Sequence, residues 1–294
     1  MFEVCADPKS LEGAAWFACY LTSGTHLSMY WSVLTVLLLL ALAAPAALGF
    51  GFGGAVMARS HVMPVALLGK GYIAMVRGVP DIVFFLFVPI AVDQGLEYLM
   101  HVSLCPDWTE PVRQGNDFVV CPQAKVPLSS APKIAHDAYA FVLALLAFAL
   151  VFGAFAANTL KGAMDAVPRA QVETAEAYGM SPAQAFRRVI LPQMWVYALP
   201  GLSNLWMILI KATPLLFLLG IKDIVYWARE LGSSKTQIYA YPHPDWRVWY
   251  FLALLCFYLL LTGGSEKVLG RLQMRLSVGQ ATAAGEALRK AGAA

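Results

Sequence analysis

Residues 28–57 read SMYWSVLTVLLLLALAAPAALGFGFGGAVM, thirty positions without a single Asp, Glu, Lys, Arg or His. A helix rising 1.5 Å per residue crosses a hydrocarbon core about 30 Å thick in about 20 residues. In hydrocarbon every backbone N–H and C=O must be satisfied within the structure itself, so a run of this kind spans as a helix. Four further apolar runs follow, at about residues 67–92, 135–160, 195–221 and 246–269. The whole chain is 59% hydrophobic and 13% charged, where a soluble domain carries about a quarter charged residues. The expected fold class is an all-α polytopic membrane protein with about five transmembrane helices. A formal net charge of +3, with no basic cluster interleaved with aromatics, argues against a nucleic-acid partner and leaves membrane lipid as the surroundings.

An odd number of spans puts the termini on opposite sides. Lys161, Arg169, Arg187 and Arg188 lie in the connection 161–194, Arg59 and Lys70 flank the first turn, and Lys267, Arg271 and Arg275 close the last span. Basic residues at span ends mark the cytoplasmic face. The N-terminus is therefore expected in the periplasm and the C-terminus in the cytoplasm. The opening 1–27 lacks the basic start of a signal peptide and reads as a periplasmic segment. The connection 93–134 becomes an external insert. Residues 280–294, rich in Ala and Gly, are expected to form a flexible cytoplasmic tail beyond a membrane-spanning body 28–279. Cys5, Cys19, Cys105 and Cys121 all fall in external segments, and only Cys256 lies within a span. An oxidising compartment favours disulfides. Of the three connectivities open to four cysteines, Cys5–Cys19 and Cys105–Cys121 close local loops; free thiols are the alternative.

Between the third and fourth spans the sequence turns polar: ETAEAYGMSPAQAFRRVILPQ, residues 173–193. A first helix ends at Gly179, a residue suited to the left-handed turn that stops a helix. Ser181, Pro182 and Gln184 start a second, as N-cap, first helical position and capping-box partner. Pro192 is expected to end this second helix before the fourth span. The stretch resembles the EAA loop of bacterial ABC-importer permeases, in which Glu-Ala-Ala, three residues, Gly, nine residues and Ile-x-Leu-Pro follow one another. Glu173, Ala175, Gly179, Leu191 and Pro192 stand in register; Thr174 replaces an alanine and Val189 an isoleucine. MVRGVPDIV at 75–83, YALPGLSNLWMILIKATPL at 197–215 and RLSVG at 275–279 are similar to the polar amino acid subfamily, closest to the histidine/lysine/arginine/ornithine and opine permeases. The external stretch 97–132 is longer than that family leads one to expect.

The resemblance implies a type I ABC importer permease fold in the bacterial inner membrane. It implies partners as well: an ABC ATPase dimer, a second and distinct permease chain, and a periplasmic substrate-binding protein. ATP and Mg would be bound by the ATPase and no cofactor by this chain. Glu173 would meet a basic residue of the ATPase, Gly179 would allow the corner, and the small Ala175 and Ala177 would let the partner approach, with Thr174 and Arg187 beside them. The chain itself carries no P-loop, no His-Glu-x-x-His and no serine elbow, so it is expected to be a non-catalytic subunit. The five histidines are scattered singly, as loop or interface residues.

Charges within spans tend to face a bundle interior or a cavity. Arg77 and Asp81 flank Gly78 and Pro80, where the helix should break, and a broken helix is tolerated where it lines a cavity. Asp81 suits an ammonium group and Arg77 or Lys211 a carboxylate, while Asn158, Asn204 and Thr213 line the path or join helices by hydrogen bonds. A structural pair of Asp81 with Lys211 is the alternative. Residues 221–232 carry apolar side chains at helical spacing, as an external amphipathic helix. The function expected is that of a permease subunit moving polar or basic amino acids, driven by a separate ATPase. The rival is an ATP-independent carrier or channel whose hairpin lies on the membrane surface.

Overall fold

Proline and glycine punctuation sets where the helices start and stop. The computed structural model describes Cys5 and residues 7–276; the tail 280–294 and the last residues of RLSVG lie outside them. The helices are α1 (Gly13–Leu21), α2 (Gly24–Ala58), α3 (Met63–Gly78), α4 (Asp81–Leu104), α5 (Lys133–Asp165), α6 (Arg169–Ala177), α7 (Pro182–Ala185), α8 (Leu191–Ala212), α9 (Ile224–Gly232) and α10 (Arg247–Leu276). Five helical segments among the described residues are long and apolar enough to cross a membrane: Gly24–Ala58, Asp81–Leu104, Lys133–Asp165, Pro182–Leu219 and Arg247–Leu276.

The second span differs from the expected 67–92. Pro80 carries no N–H and drives the preceding residue away from α geometry, so α3 ends at Gly78 and α4 begins at Asp81. The span that follows runs on to Leu104, through residues assigned from sequence to the external insert. Its polar side chains find partners within the fold. Asp93 accepts from the Tyr139 hydroxyl at 2.8 Å, Glu97 accepts from Lys125 Nζ at 3.0 Å, and His101 Nδ1 accepts from the Cys121 N–H at 3.1 Å. A polar helix thus stays regular because none of these groups is left without a partner. The insert proper starts at Cys105.

Two compact units divide the chain. The first holds the residues up to Ala43, Val79–Phe148 and Thr213–Leu254. Within it Phe85 packs on Phe148 with ring centroids 4.6 Å apart. The insert has a small core of its own, in which Val120, Cys121 and Ala124 pack with Trp108, Val112 and Phe118. A two-stranded hairpin, β1 (Arg113–Gln114) against β2 (Asp117–Phe118), projects from it with Gly115 at φ +64° in the turn. α9 starts later than residue 221 because the Asp223 side chain caps it, accepting from the Tyr226 N–H at 2.9 Å.

The second unit holds Ala44–Gly78, Ala149–Ala212 and the described residues from Leu255. Its core joins Ala55 of α2, Leu160 and Met164 of α5, and Ile190, Met194 and Ala198 at the start of the fourth span. α3 crosses the end of α2 at Gly69, where a Cβ would stand 2.3 Å from the Ala58 nitrogen, so a side chain there would force backbone apart.

Candidate functional site

The polar hairpin is built by local rules. α6 ends in a Schellman motif: the Met180 N–H donates to the Ala175 carbonyl at 3.1 Å and the Gly179 N–H to that of Glu176 at 2.9 Å. Gly179 takes φ +80°, which a Cβ would oppose. The next helix opens on a capping box, Ser181 accepting from the Gln184 N–H and the Gln184 side chain accepting from the Ser181 N–H.

Pro192 does not end that helix. Residues Phe186–Ile190 form a π turn, with the Leu191 N–H donating to the Phe186 carbonyl, and the helix runs unbroken over Pro182–Leu219. The wider turn makes room for the proline ring and its missing donor without breaking the helix. The hairpin bounds 161–194 shrink accordingly: α5 continues to Asp165, and the second arm is the beginning of the fourth span.

Glu173, Thr174, Ala177 and Gly179 are exposed, as is Arg187 on the second arm. Ala175, expected with Ala177 to let the ATPase approach closely, is 5% exposed. Ala177, the other small residue of this helix, is exposed. Tyr178, passed over in the sequence reading, stands 84% exposed beside it. Glu173 lies on the wall of a cleft of about 320 Å³ shared with Arg59, Asp165, Arg169 and Val172. At its base Arg59 donates to Asp165 Oδ1 and Lys161 donates to Oδ2 at 2.8 Å. That cluster joins the ends of α2 and α5, and the only signal for it in the sequence is the excess of charge at span ends.

The residues expected along a substrate path are divided between the two units. Asp81 opens α4 and is half-buried; Thr213 is fully buried in the same unit. Arg77 lies in α3, and its side chain is outside the described residues. In the other unit Asn158 of α5 and Asn204 and Lys211 of α8 are exposed. Asn204 and Lys211, seven residues apart, share a face of α8.

Both local disulfides are present, Cys5–Cys19 and Cys105–Cys121, and Cys256 is free. His101 and the two insert sulfurs lie within 4.8 Å of one another, but the sulfurs are bonded to each other. The histidines read as scattered include a buried pair. His26 Nε2 lies 2.7 Å from the Tyr250 hydroxyl, which donates to the Tyr20 hydroxyl at 3.1 Å, itself 3.1 Å from His243 Nε2. Nothing in their spacing, more than 200 residues, announces this network.

A family model described as the inner membrane component of binding-protein-dependent transport systems matches residues 49–265. The arginine ABC transporter permease ArtQ of Escherichia coli is 31% identical over 212 residues, 72% of this chain and 79% of that protein. The histidine/lysine/arginine/ornithine transport system permease HisQ of Salmonella typhimurium is 32% identical over 234 residues, 79% of this chain and 85% of that protein. The octopine transport system permease OccQ of Rhizobium radiobacter is 27% identical over 219 residues, 74% and 77% of the two chains. A chain in a crystal structure of an amino acid ABC transporter with histidines shares the fold, with a TM-score of 0.59 at 22% identity, over 87% of this chain and 98% of that one.

Proposed function

The chain belongs to the family of inner membrane components of binding-protein-dependent transport systems, and from that premise we propose that it is the permease subunit of an ATP-driven importer of polar or basic amino acids. It is a multi-pass protein of the inner membrane. The substrate class follows relatives named for arginine, for histidine/lysine/arginine/ornithine and for octopine. In this reading Asp81 suits the cationic group of a substrate, and Arg77 or Lys211 a carboxylate. Asn204 and Lys211, polar and exposed on an apolar span, need cover from a water-filled path or from a second permease chain.

The N-terminus and the disulfide-closed insert face the periplasm, where disulfides persist. The hairpin with Lys161, Arg169, Arg187 and Arg188 faces the cytoplasm. There a pair of ATPase chains, holding ATP and Mg, grips residues 173–179 on each permease. A substrate-binding protein delivers the amino acid from the other side.

The observation that carries this reading is mechanical. The exposed Glu173 sits one tight corner away from a helix that continues without interruption into the fourth span. A pull on the hairpin therefore reaches that span through a rigid rod rather than a loose linker.

The test is Glu173→Lys, reconstituted with its ATPase and binding protein in proteoliposomes. Membrane insertion and melting temperature should stay as in the wild type, while ATP-dependent uptake and the amount of ATPase retained on purification both fall. Uptake at the wild-type rate would overturn the proposal.

A further inference from the structure

An aromatic cavity of about 420 Å³ opens in the first unit, where α1, the first turns of α2 and the first turns of α10 meet. Its volume lies in the range of ligand pockets, roughly 300–1,000 Å³. Phe17, Tyr20 and Leu21 of α1 form one wall, His26 and Met29 of α2 the floor, and Trp246 and Tyr250 the far side.

The imidazole and phenol groups of this lining are already engaged. His26 Nδ1 lies 3.1 Å from the Ser23 hydroxyl and Nε2 2.7 Å from that of Tyr250. Tyr250 donates to Tyr20, and the Tyr20 hydroxyl also lies 3.2 Å from the Leu231 carbonyl. A ligand here meets apolar carbon and ring faces, with those groups already bonded to one another. Such a lining suits hydrocarbon.

The mouth points the same way. Around it stand Phe17 at 50% exposure and Trp249 at 69%. These belong to, or immediately precede, two membrane-spanning helices, so the cavity continues a surface that lipid covers. Tyr30, Trp31 and Trp249 are exposed near the starts of these two spans, and exposed aromatics at span ends suit the boundary between headgroups and acyl chains.

We propose that this cavity is a binding site for one acyl chain of a membrane phospholipid, held between the disulfide-closed N-terminal helix and the start of the last span. The chain fills the space under α1 and fixes that helix against α10. The site depends on the membrane-spanning reading and not on what is transported.

The full chain, with its partner chains, is placed in nanodiscs of phosphatidylethanolamine and phosphatidylglycerol doped with a phospholipid carrying a diazirine on its acyl chain. After photolysis the adducts are mapped by peptide mass spectrometry. Adducts are expected on Tyr20, Leu21 or Met29, as well as on the outward Leu259 and Leu260, which are 62% and 77% exposed. Ala253 lines the cavity from an exposed position, so Ala253→Phe fills it at little cost to folding. It should lower the adducts at Tyr20, Leu21 and Met29 about tenfold and leave those at Leu259 and Leu260 unchanged. Leu21→Trp, which fills the cavity from the opposite wall, should lower the adducts at Tyr20 and Met29 likewise. Adducts confined to Leu259 and Leu260 in the wild type, equal labelling of wild type and both variants, or no labelling anywhere would each overturn the proposal.

Discussion

His26 Nε2 and the Tyr250 hydroxyl stand 2.7 Å apart although 224 residues separate them along the chain. His26 is fully buried, so its ring nitrogens have no water to fall back on. Tyr250→Phe removes the hydroxyl that joins His26 to Tyr20 and leaves a buried nitrogen without a partner. The expected loss is about 1–3 kcal/mol, read as a lowered melting temperature in detergent. Tyr178→Phe, at an exposed ring, is the control and should melt like the wild type. Equal melting of both variants would mean that the network carries no stability.

Gly179 sits at φ +80° at the corner of the hairpin. A side chain in that conformation costs about 1–2 kcal/mol, least for Asn and most for a β-branched residue. Gly179→Val should therefore lower the fraction of ATPase recovered with the chain more than Gly179→Asn does, with the spans still inserted. The reverse order would remove the argument from backbone geometry.

The insert is closed by Cys105–Cys121, 16 residues apart, over a core of few side chains. Closing a loop of this length stabilises by about 3 kcal/mol in the chain-entropy account. Replacing both cysteines by serine should make residues 105–132 sensitive to protease while α4 and α5 stay protected. A non-reducing peptide map of the wild type should show the two local pairs, with Cys256 alkylated. Crossed pairs would refute the pairing.

Asp223 caps α9 with Oδ1 while Oδ2, buried, has no hydrogen-bond partner among the described residues. Burial pushes its carboxyl above the usual carboxylate range, against the opposing pull of the Tyr226 and Val225 N–H groups. A raised folded-state pKa means that the favourable contribution is complete below the ordinary value of about 3.9 and is lost as pH rises through the folded one. Asp223→Asn keeps the cap and carries no charge. It should melt at or above the wild-type temperature at pH 7, and the difference should vanish towards pH 4. A variant that melts well below the wild type at pH 7 would show that the charge is compensated.

Much of the architecture is a matter of neighbours in sequence. The break at Pro80, the corner at Gly179, the Ser181 capping box and the greasy spans depend on φ restrictions, side-chain reach and local apolarity, all of which act within a few residues. They were legible for that reason, and so was the hairpin with its exposed Glu173. Other features were settled by partners far along the chain. Asp93, Glu97 and His101 looked like loop residues, yet Tyr139, Lys125 and the Cys121 N–H satisfy them and let α4 run to Leu104. Pro192 looked like a stop, but packing of Ile190 and Met194 against α5 accompanies a π turn that carries the helix past it. Ala175 turned inward, and the rings of Tyr20 and Tyr250 met those of His26 and His243 from distant segments. The sequence by itself determined where the chain can bend and where it must be helical, because those are costs borne by single residues. Only the tertiary structure decided which polar groups could be buried, because that depends on who stands opposite.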